Sequence, residues 1–213
     1  MDYVAAVRYL KKSDPQMAAL IKAVGPCGIV VKDKTQPWQA LTRAVAYQQL
    51  HGRAAESIFN RFLALYAHGK FPTPDEILES DNHVLRAAGF SQAKVNAIRD
   101  IAEHAAAGKI PTRAKCAKMS DEEIIAACVP VRGVGRWTVE MLLIFTLGRL
   151  DVWPVDDFGI AEGYRHIYGL KERPKAKELK ALGDKWAPYR SVAAWYLWRA
   201  AGMAKEKKDL AKE

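Results

Sequence analysis

The sequence is poor in cysteine, in long apolar runs and in β-strand patterns. Its three cysteines, Cys27, Cys116 and Cys128, lie too far apart for a CxxC-type zinc site or a four-cysteine iron–sulfur cluster built by this chain alone. No apolar run approaches the roughly 18 residues of a membrane span. The first residues carry no basic segment followed by an apolar stretch, so no signal peptide is predicted. We therefore expect a cytoplasmic protein without a metal, a cofactor or a membrane partner.

Strand signals are confined to Gly28-Ile29-Val30-Val31, which has no obvious hairpin partner. Helix signals recur along the rest of the chain. Apolar residues between Asp14 and Val24 form a helical stripe. Thr73 and Pro74 begin a helix that Gly89 is expected to end, and Ser120-Asp121-Glu122-Glu123 is a capping box. The sequence predicts an all-α protein of about ten short helices.

The charge is strongly positive. The formal net charge is +9 and the sequence pI is near 9.4. Such a balance favours polyanion partners, because Lys and Arg release counterions from a nucleic-acid backbone. A basic but merely solvated surface would give the same numbers, so charge alone leaves both interpretations open.

The most informative segment runs from Val131 to Thr138. Gly133 and Gly135, one residue apart, allow a tight hairpin between helices, because glycine accepts a positive φ and lets another backbone approach closely. The amides of Val134, Gly135 and Arg136 would then lie at the start of the next helix, where a DNA phosphate can bind. A plain turn between two helices is the alternative, since many such turns contain Gly-x-Gly.

Two adjacent acids follow this helix. Asp156 and Asp157 stand after an apolar approach, Val152-Trp153-Pro154-Val155, at the mouth of another helix. One acid in such a place is an ordinary helix N-cap. Two in a row predict one capping residue and one functional carboxylate.

In combination these motifs resemble the helix-hairpin-helix DNA glycosylases, in particular the DNA-3-methyladenine glycosylase II branch. The resemblance covers roughly residues 37–202. It implies a two-lobed helical bundle with a cleft between the lobes, residues 37–150 forming one lobe and residues 1–36 with 151–213 the other. Beyond the hairpin and the acid pair, the similar segments are Arg43-Ala44-Val45, Tyr47-Gln48-Gln49-Leu50, Ala54-Ala55, Phe71-Pro72-Thr73-Pro74, Gly89-Phe90-Ser91 with Lys94, Trp186-Ala187-Pro188-Tyr189-Arg190-Ser191 and Tyr196-Leu197-Trp198.

The resemblance also implies roles for individual residues. Asp157 matches the catalytic acid, which would stabilise positive charge on the sugar as the N-glycosidic bond breaks. The damaged base must be flipped into a pocket and held there by stacking. For that pocket we expect Trp137, Trp198 and Tyr47, with Asp156 beside them. Three other tryptophans, Trp38, Trp186 and Trp195, are expected in the core.

Trp137 stands where family members with lyase activity carry a Schiff-base lysine. The resemblance therefore implies a monofunctional enzyme. Gln49 matches the wedge that fills the space left by the flipped base, and its neighbour Leu50 stays an alternative. The residues expected to contact DNA at the hairpin are Gly133, Val134, Gly135, Arg136 and Thr138.

We therefore expect a monomeric glycosylase that removes alkylated bases, of the 3-methyladenine and 7-methylguanine type, from double-stranded chromosomal DNA. This reaction is the first step of base excision repair. Two alternatives stay open: a glycosylase for neutral bases such as uracil or hypoxanthine, and a non-catalytic DNA-damage binder. An iron–sulfur glycosylase-lyase is contradicted by the cysteines and by Trp137.

Overall fold

The computed structural model describes residues 3–50, 52–66 and 70–210. These residues form thirteen α-helices and no β-strand, which confirms the all-α fold but not the expected count of about ten helices. The helices are α1 (Val4–Ser13), α2 (Pro15–Val24), α3 (Pro37–Tyr47), α4 (Gly52–Ala64), α5 (Pro74–Glu79), α6 (Asn82–Ala87), α7 (Gln92–Ala106), α8 (Arg113–Cys116), α9 (Asp121–Cys128), α10 (Arg136–Leu142), α11 (Phe158–Ile167), α12 (Ala176–Leu182) and α13 (Arg190–Leu210).

Two irregular segments accompany these helices. A π-helical segment, Leu143–Leu147, continues α10, and a 3₁₀ turn, Asp184–Trp186, follows α12. The β-like run from Gly28 to Val31 is not a strand; Ile29 in this run is buried. None of the described helices is both long and apolar enough to cross a bilayer.

The contacts between residues group the chain into two compact units. The terminal unit comprises the residues up to Val31 and those from Gly148 onward, and the hairpin unit comprises Lys32–Leu147. In the hairpin unit, α3 packs on α4, α7 and α10, and α9 packs on α10. In the terminal unit, α11 and α13 form the most extensive helix pair. Each unit has its own apolar core, and each carries a different part of the candidate site.

The helix expected between Thr73 and Gly89 is two helices, α5 and α6. Thr73 caps α5, as predicted, and forms a complete capping box with Glu76. The break follows because the carbonyls at the end of α5 are bonded by side chains. Arg99 donates to the oxygens of Leu78 at 2.9 Å and Ser80 at 2.8 Å. The Oγ of Ser80 donates to the Glu76 oxygen at 2.7 Å. The bonds from Arg99 replace helical ones that a longer helix would have made, whereas the Glu76 oxygen also accepts its helical bond from the Ser80 amide at 3.2 Å.

The core of the terminal unit contains a polar centre, the carboxylate of Asp14, which is 2% exposed. Its Oδ1 accepts from the Gln16 amide at 2.9 Å and caps α2. Its Oδ2 is bonded by the Tyr168 hydroxyl, the Trp186 indole at 3.2 Å and the Lys185 ammonium at 2.7 Å. Burial raises the pKa of Asp14, but the hydrogen bonds from Lys185 and Tyr168 outweigh it and lower the pKa overall. The buried charge is therefore fully paired.

The three tryptophans expected in the core differ in burial: two are buried and one is half-buried. Trp186 is fully buried and Trp195 is 8% exposed, both in the terminal unit. Trp38, in the hairpin unit, is half-buried and packs edge-on against Phe71 with ring centroids 5.2 Å apart. All three therefore pack against other residues of their own unit.

Candidate active site and DNA-binding hairpin

Asp157 is the N-cap of α11, and its side chain accepts two hydrogen bonds. Its Oδ1 accepts from the Ile160 amide at 2.8 Å and from the Trp198 indole Nε1 at 2.9 Å. The residue is 7% exposed, whereas Asp156 is exposed. The cap of α11 is thus Asp157, the acid that the resemblance matches to the catalytic residue, and not its neighbour. Whether one acid of the pair caps and the other is functional stays a prediction.

Close packing of α11 on α13 brings Trp198 to Asp157. A methyl group added at Gly163 would lie 2.0 Å from the Leu197 carbonyl oxygen, so no other residue fits there without moving a helix. One turn earlier, a methyl group at Gly159 would lie 2.7 Å from Cδ1 of Trp198. Sequence reasoning missed this pair. The four-residue spacing of two glycines within one helix was the available signal, since glycines on one face allow close helix contact.

The segment that leads to Asp157 is fixed to the start of α13. Arg190 forms a two-bond ion pair with Asp151, Nε to Oδ1 and Nη2 to Oδ2, both at 2.8 Å. The hydrogen bonds from Asp151 raise the pKa of the Arg190 guanidinium. The Val152 amide donates to the Ser191 hydroxyl at 2.9 Å. The chain therefore enters the Asp157 turn from a fixed position.

The two glycines of the hairpin have different roles. Gly133 has φ +77°, and a methyl group there would lie 3.2 Å from the Cβ of Ala97. A glycine is required at position 133 because the backbone there has a positive φ. Gly135 has φ −93°, which any residue adopts, and nothing lies within 4 Å of an added methyl group. Its small size keeps open the space in front of α10, where an approaching backbone or phosphate would lie.

Three polar contacts fix the hairpin within its unit. The Arg132 amide donates to Oδ2 of Asp100 at 2.7 Å, and Gln48 Nε2 donates to the Gly133 oxygen at 3.0 Å. The Val134 amide donates to the Val131 oxygen at 3.1 Å, while its side chain is buried. The Val134 side chain therefore packs in the core of the unit. The Val134 amide, expected to face a DNA phosphate, is thus bonded within the turn instead.

Arg136 joins the two helices of the hairpin. Its guanidinium forms an ion pair with Glu122 of α9 and donates through Nε to Glu140 of α10 at 3.1 Å. The hydrogen bond to Glu122 is the main reason that the pKa of Arg136 is raised. Thr138 is 5% exposed, so its side chain also points inward. The first helical hydrogen bond of α10 is from Val139 to Gly135 at 3.2 Å, and the preceding amides face out of its N-terminus.

The three aromatic candidates lie in different settings. Trp137, at the start of α10, is 47% exposed. Trp198 is half-buried and bonded to Asp157. Tyr47, at the end of α3, is half-buried and accepts a hydrogen bond from Arg43 at 2.7 Å. Of the predicted pocket residues, the terminal unit brings Trp198 to Asp157, while Trp137 and Tyr47 belong to the hairpin unit.

The wedge candidates lie in the turn after α3. Gln49 is exposed and has φ +56°, a left-handed conformation that a residue with a side chain rarely adopts. Leu50 is 38% exposed. The Lys94 ammonium fixes the turn from below by donating to the carbonyls of Ala46 and Gln48, both at 2.8 Å, and burial lowers its pKa. The sequence alone predicts no structural role for Lys94, because its two carbonyl partners lie 46 and 48 positions away.

Within the described residues, no group of three or more His, Cys, Asp and Glu side chains could hold a metal ion. The two cysteines of the hairpin unit, Cys116 and Cys128, are buried and form no disulfide. Burial, with the neighbouring Cys116 as a second cause, raises the pKa of the Cys128 thiol to about 12. A thiol with such a pKa is a packing group at neutral pH.

The HhH-GPD superfamily of base excision DNA repair proteins matches residues 42–188, a range that includes the hairpin and Asp157. The chain belongs to this superfamily. The family resemblance expected from the sequence is therefore confirmed.

Two relatives of this HhH-GPD protein come from Schizosaccharomyces pombe. DNA-3-methyladenine glycosylase 1 is 45% identical over 172 residues, which cover 81% of this chain and 75% of the relative. The alkylbase DNA glycosidase-like protein mag2 is 38% identical over 199 residues, 93% of each chain. Both matches extend over most of the two proteins compared.

Solved structures agree with the sequence matches. The Schizosaccharomyces pombe 3-methyladenine DNA glycosylase Mag1, in complex with abasic DNA, superposes with a TM-score of 0.84 at 43% identity, covering 92% of this chain and 96% of that one. The DNA-3-methyladenine glycosidase from Bacillus halodurans gives a TM-score of 0.84 at 33% identity, covering 94% and 91%. The fold of this HhH-GPD protein is thus shared along nearly its whole length.

Proposed function

We propose that the protein is a monofunctional DNA glycosylase that hydrolyses the N-glycosidic bond of alkylated bases, of the 3-methyladenine and 7-methylguanine type, in duplex DNA. It would act as a monomer on chromosomal DNA, in the first step of base excision repair. One observation carries the proposal: the buried carboxylate of Asp157 is fixed by an indole and a helix N-terminus in a chain of the HhH-GPD superfamily. The printed names of its relatives supply the substrate class.

The carboxylate of Asp157 would act on the sugar. As the bond to the base breaks, positive charge develops on the sugar ring, and a fixed carboxylate stabilises that charge without having to reorganise. It can also orient or deprotonate the attacking water. An N-alkylated purine already carries positive charge, so it leaves without protonation. A single acid is therefore sufficient for this substrate class.

We assign the holding of the base to aromatic rings. A cationic base is attracted to an electron-rich ring face by about 0.5–2 kcal/mol. Trp137 offers an exposed ring, and Trp198 links ring stacking to the orientation of Asp157. Tyr47 is a third candidate, and Asp156 is placed at the edge of the site.

The hairpin would bind a DNA phosphate through backbone amides at the start of α10. In this proposal Gly135, Arg136 and Thr138 act through their backbone amides, whereas Gly133 and Val134 shape the turn, because the Val134 amide is bonded to the Val131 oxygen. The guanidinium of Arg136 keeps α9 and α10 together by pairing with Glu122 and Glu140. Gln49, held in a strained turn, would enter the space left by the flipped base, with Leu50 beside it.

The test is to incubate the protein with methylated duplex DNA and to identify the released bases by chromatography. We expect 3-methyladenine and 7-methylguanine from the wild type and neither from Asp157→Asn. Release of uracil or hypoxanthine alone, from matched duplexes, would favour a glycosylase for neutral bases. Tight binding of damaged duplexes without any release would identify a damage binder. Either outcome would refute the proposed activity.

The monofunctional character has its own test. The residues from Arg136 to Leu147 contain no lysine, and Trp137 stands where a Schiff-base lysine would be needed. Lys94 is occupied by two carbonyl groups. Borohydride should therefore trap no adduct on a lesion-bearing duplex, and strand scission should require alkali. An adduct that forms at the rate of base release would contradict this subclass.

A further inference from the structure

The terminal unit contains a groove of about 810 Å³ along its first two helices. The groove is lined by residues of α1, of α2 and of the turn that follows α2, and we call it the α1–α2 groove. None of its described lining residues belongs to the Asp157 site or to the hairpin. The α1–α2 groove is therefore a surface feature that the proposed function does not use.

One face of α1 forms the first side of the α1–α2 groove. Val4, Val7, Arg8 and Lys11 line it, and their spacing places them on one face of the helix. Val4 is 58% exposed and Val7 is half-buried, so apolar surface is accessible here. This face of α1 is thus apolar towards its N-terminus and cationic towards its C-terminus.

The end of α2 and its turn form the second side. Ile21 is buried, whereas Lys22 is exposed. The turn is fixed, because the Gly25 amide donates to the Ile21 oxygen at 2.9 Å and the Gly25 oxygen accepts from the Tyr196 hydroxyl of α13 at 2.8 Å. A methyl group added at Gly25 would meet nothing within 4 Å. The wall is therefore preformed, and open space lies in front of the turn.

The charge along the α1–α2 groove has one sign. Arg8, Lys11 and Lys22 are exposed, and none of the three side chains pairs with another described residue. No carboxylate is among the described residues that line the groove. Burial is the main cause that raises the pKa of the Cys27 thiol, so this group adds no negative charge at neutral pH. The groove is thus complementary to an anion.

The apolar and the cationic parts together define the occupant. A duplex would pair its phosphates with the cations, but a hydrated sugar-phosphate backbone would gain nothing from the two valine side chains. A peptide with carboxylates beside apolar side chains would use both parts. Burial of apolar surface would stabilise its complex, and opposite charges would orient it.

We propose that the α1–α2 groove binds an acidic amphipathic segment of a partner protein. Its carboxylates would pair with Arg8, Lys11 and Lys22, and its apolar side chains would pack against Val4 and Val7. This is the groove mode of peptide recognition, in which the apolar face of a segment lies in a preformed groove. The proposal goes beyond the proposed function, because it requires neither DNA nor base release.

The probe is a fluorescein-labelled peptide of about twelve residues, with leucine on one helical face and glutamate on the others. Two matched peptides replace every leucine with serine or every glutamate with glutamine. In anisotropy titrations of the intact protein, we expect the probe to bind at least about tenfold more tightly than either matched peptide, because each of them keeps only one kind of contact. Equally tight binding of the serine peptide would show attraction of charge alone and overturn the proposal. So would a probe that does not bind.

The chain offers a matched control for each kind of contact. Val4→Ser should weaken the probe about fivefold and Lys11→Glu about tenfold, through lost apolar burial and through charge repulsion. The controls are Val30→Ser and Lys12→Glu, at a valine that is 75% exposed and at an exposed lysine, both outside the α1–α2 groove. They should leave the affinity within twofold. Losses in the controls equal to those in the groove variants would contradict the proposal.

Two further measurements distinguish other occupants. Probe binding should persist on protein saturated with undamaged duplex. If the duplex displaces the probe and Lys11→Glu weakens both equally, the groove is a DNA contact. If light scattering shows a dimer that Val4→Ser abolishes, a second copy of the chain occupies the groove. Either result overturns the proposal. Base release from methylated duplex should be unchanged in all four variants, so a failure of the proposed function would be seen separately.

Discussion

The two units hold their functional groups by different means. In the terminal unit, Asp157 is buried, and its position depends on two helices that approach closely because Gly159 and Gly163 have no side chains. In the hairpin unit, the exposed turn around Gly135 depends on a hydrogen bond that Gln48 donates to it and on one that it donates to Asp100. The position of Asp157 therefore depends mainly on helix packing, and the position of the hairpin turn depends on polar contacts at the surface.

This difference matches the demands of the two tasks. A carboxylate that stabilises developing charge must be fixed within a fraction of an ångström, and a packed core provides that rigidity. A phosphate contact only needs amides that face outward, and it reads no sequence. Mutations in the terminal unit should therefore affect catalysis and stability. Mutations at the hairpin should affect DNA affinity.

The largest effect is expected at Asp157. Asp157→Asn keeps an oxygen that can cap α11 and accept from Trp198, but it removes the charge. Base release should fall by at least 10²–10³-fold, the scale of losing one electrostatic contact to a transition state. Duplex affinity should stay equal or rise, because a negative charge near phosphates is lost. Single-turnover base release and a binding titration measure the two quantities.

Asp156→Asn is the matched control for this prediction. It changes the same charge at the neighbouring, exposed position, so its effect on base release should be mild. An inactive Asp156 variant beside an active Asp157 variant would reverse the assignment of the pair.

Two glycine-to-alanine changes sharpen the comparison of the units. Gly163→Ala places a methyl group 2.0 Å from the Leu197 oxygen, so α11 and α13 must separate. We expect a loss of about 1–3 kcal/mol in the free energy of unfolding, visible as a lower Tm. Gly135→Ala meets no atom of its own unit within 4 Å and should leave Tm within about a degree. A destabilised Gly135 variant would show that this glycine also serves the fold.

Gly135→Asp tests the hairpin as a phosphate anchor. The added carboxylate would stand in front of α10, where a phosphate is expected, so affinity should fall about tenfold for damaged and undamaged duplexes alike. Fluorescence titrations at two salt concentrations provide the measurement, with Gly135→Ala as the uncharged control. A variant that kept its affinity but changed its lesion preference would contradict the anchoring role.

Local sequence patterns predicted the motifs of this protein well, but they predicted its long-range packing contacts poorly. The N-cap at Thr73, the hairpin glycines and the acid pair are short-range signals, and the all-α fold was predicted from recurring helical patterns and the scarcity of strand signals. The break between α5 and α6 was missed because it depends on Arg99, which is remote in sequence. The contact between Asp157 and Trp198 was missed because the indole that donates to the carboxylate lies 41 positions further along the chain.

The smallest effect is expected at Trp198, whose ring and N–H group have separable roles. Trp198→Phe keeps an aromatic face but removes the donor to Asp157. A hydrogen bond to a charged group contributes about 1.5–3 kcal/mol to stability, and only a part of this affects the reaction. We expect base release to slow roughly fivefold with DNA affinity unchanged, and Trp198→Leu, which lacks both features, to slow it further. Equal rates for wild type and Trp198→Phe, with a slow Trp198→Leu, would assign Trp198 to stacking alone. Equal losses in the two variants would make the hydrogen bond to Asp157 its whole contribution.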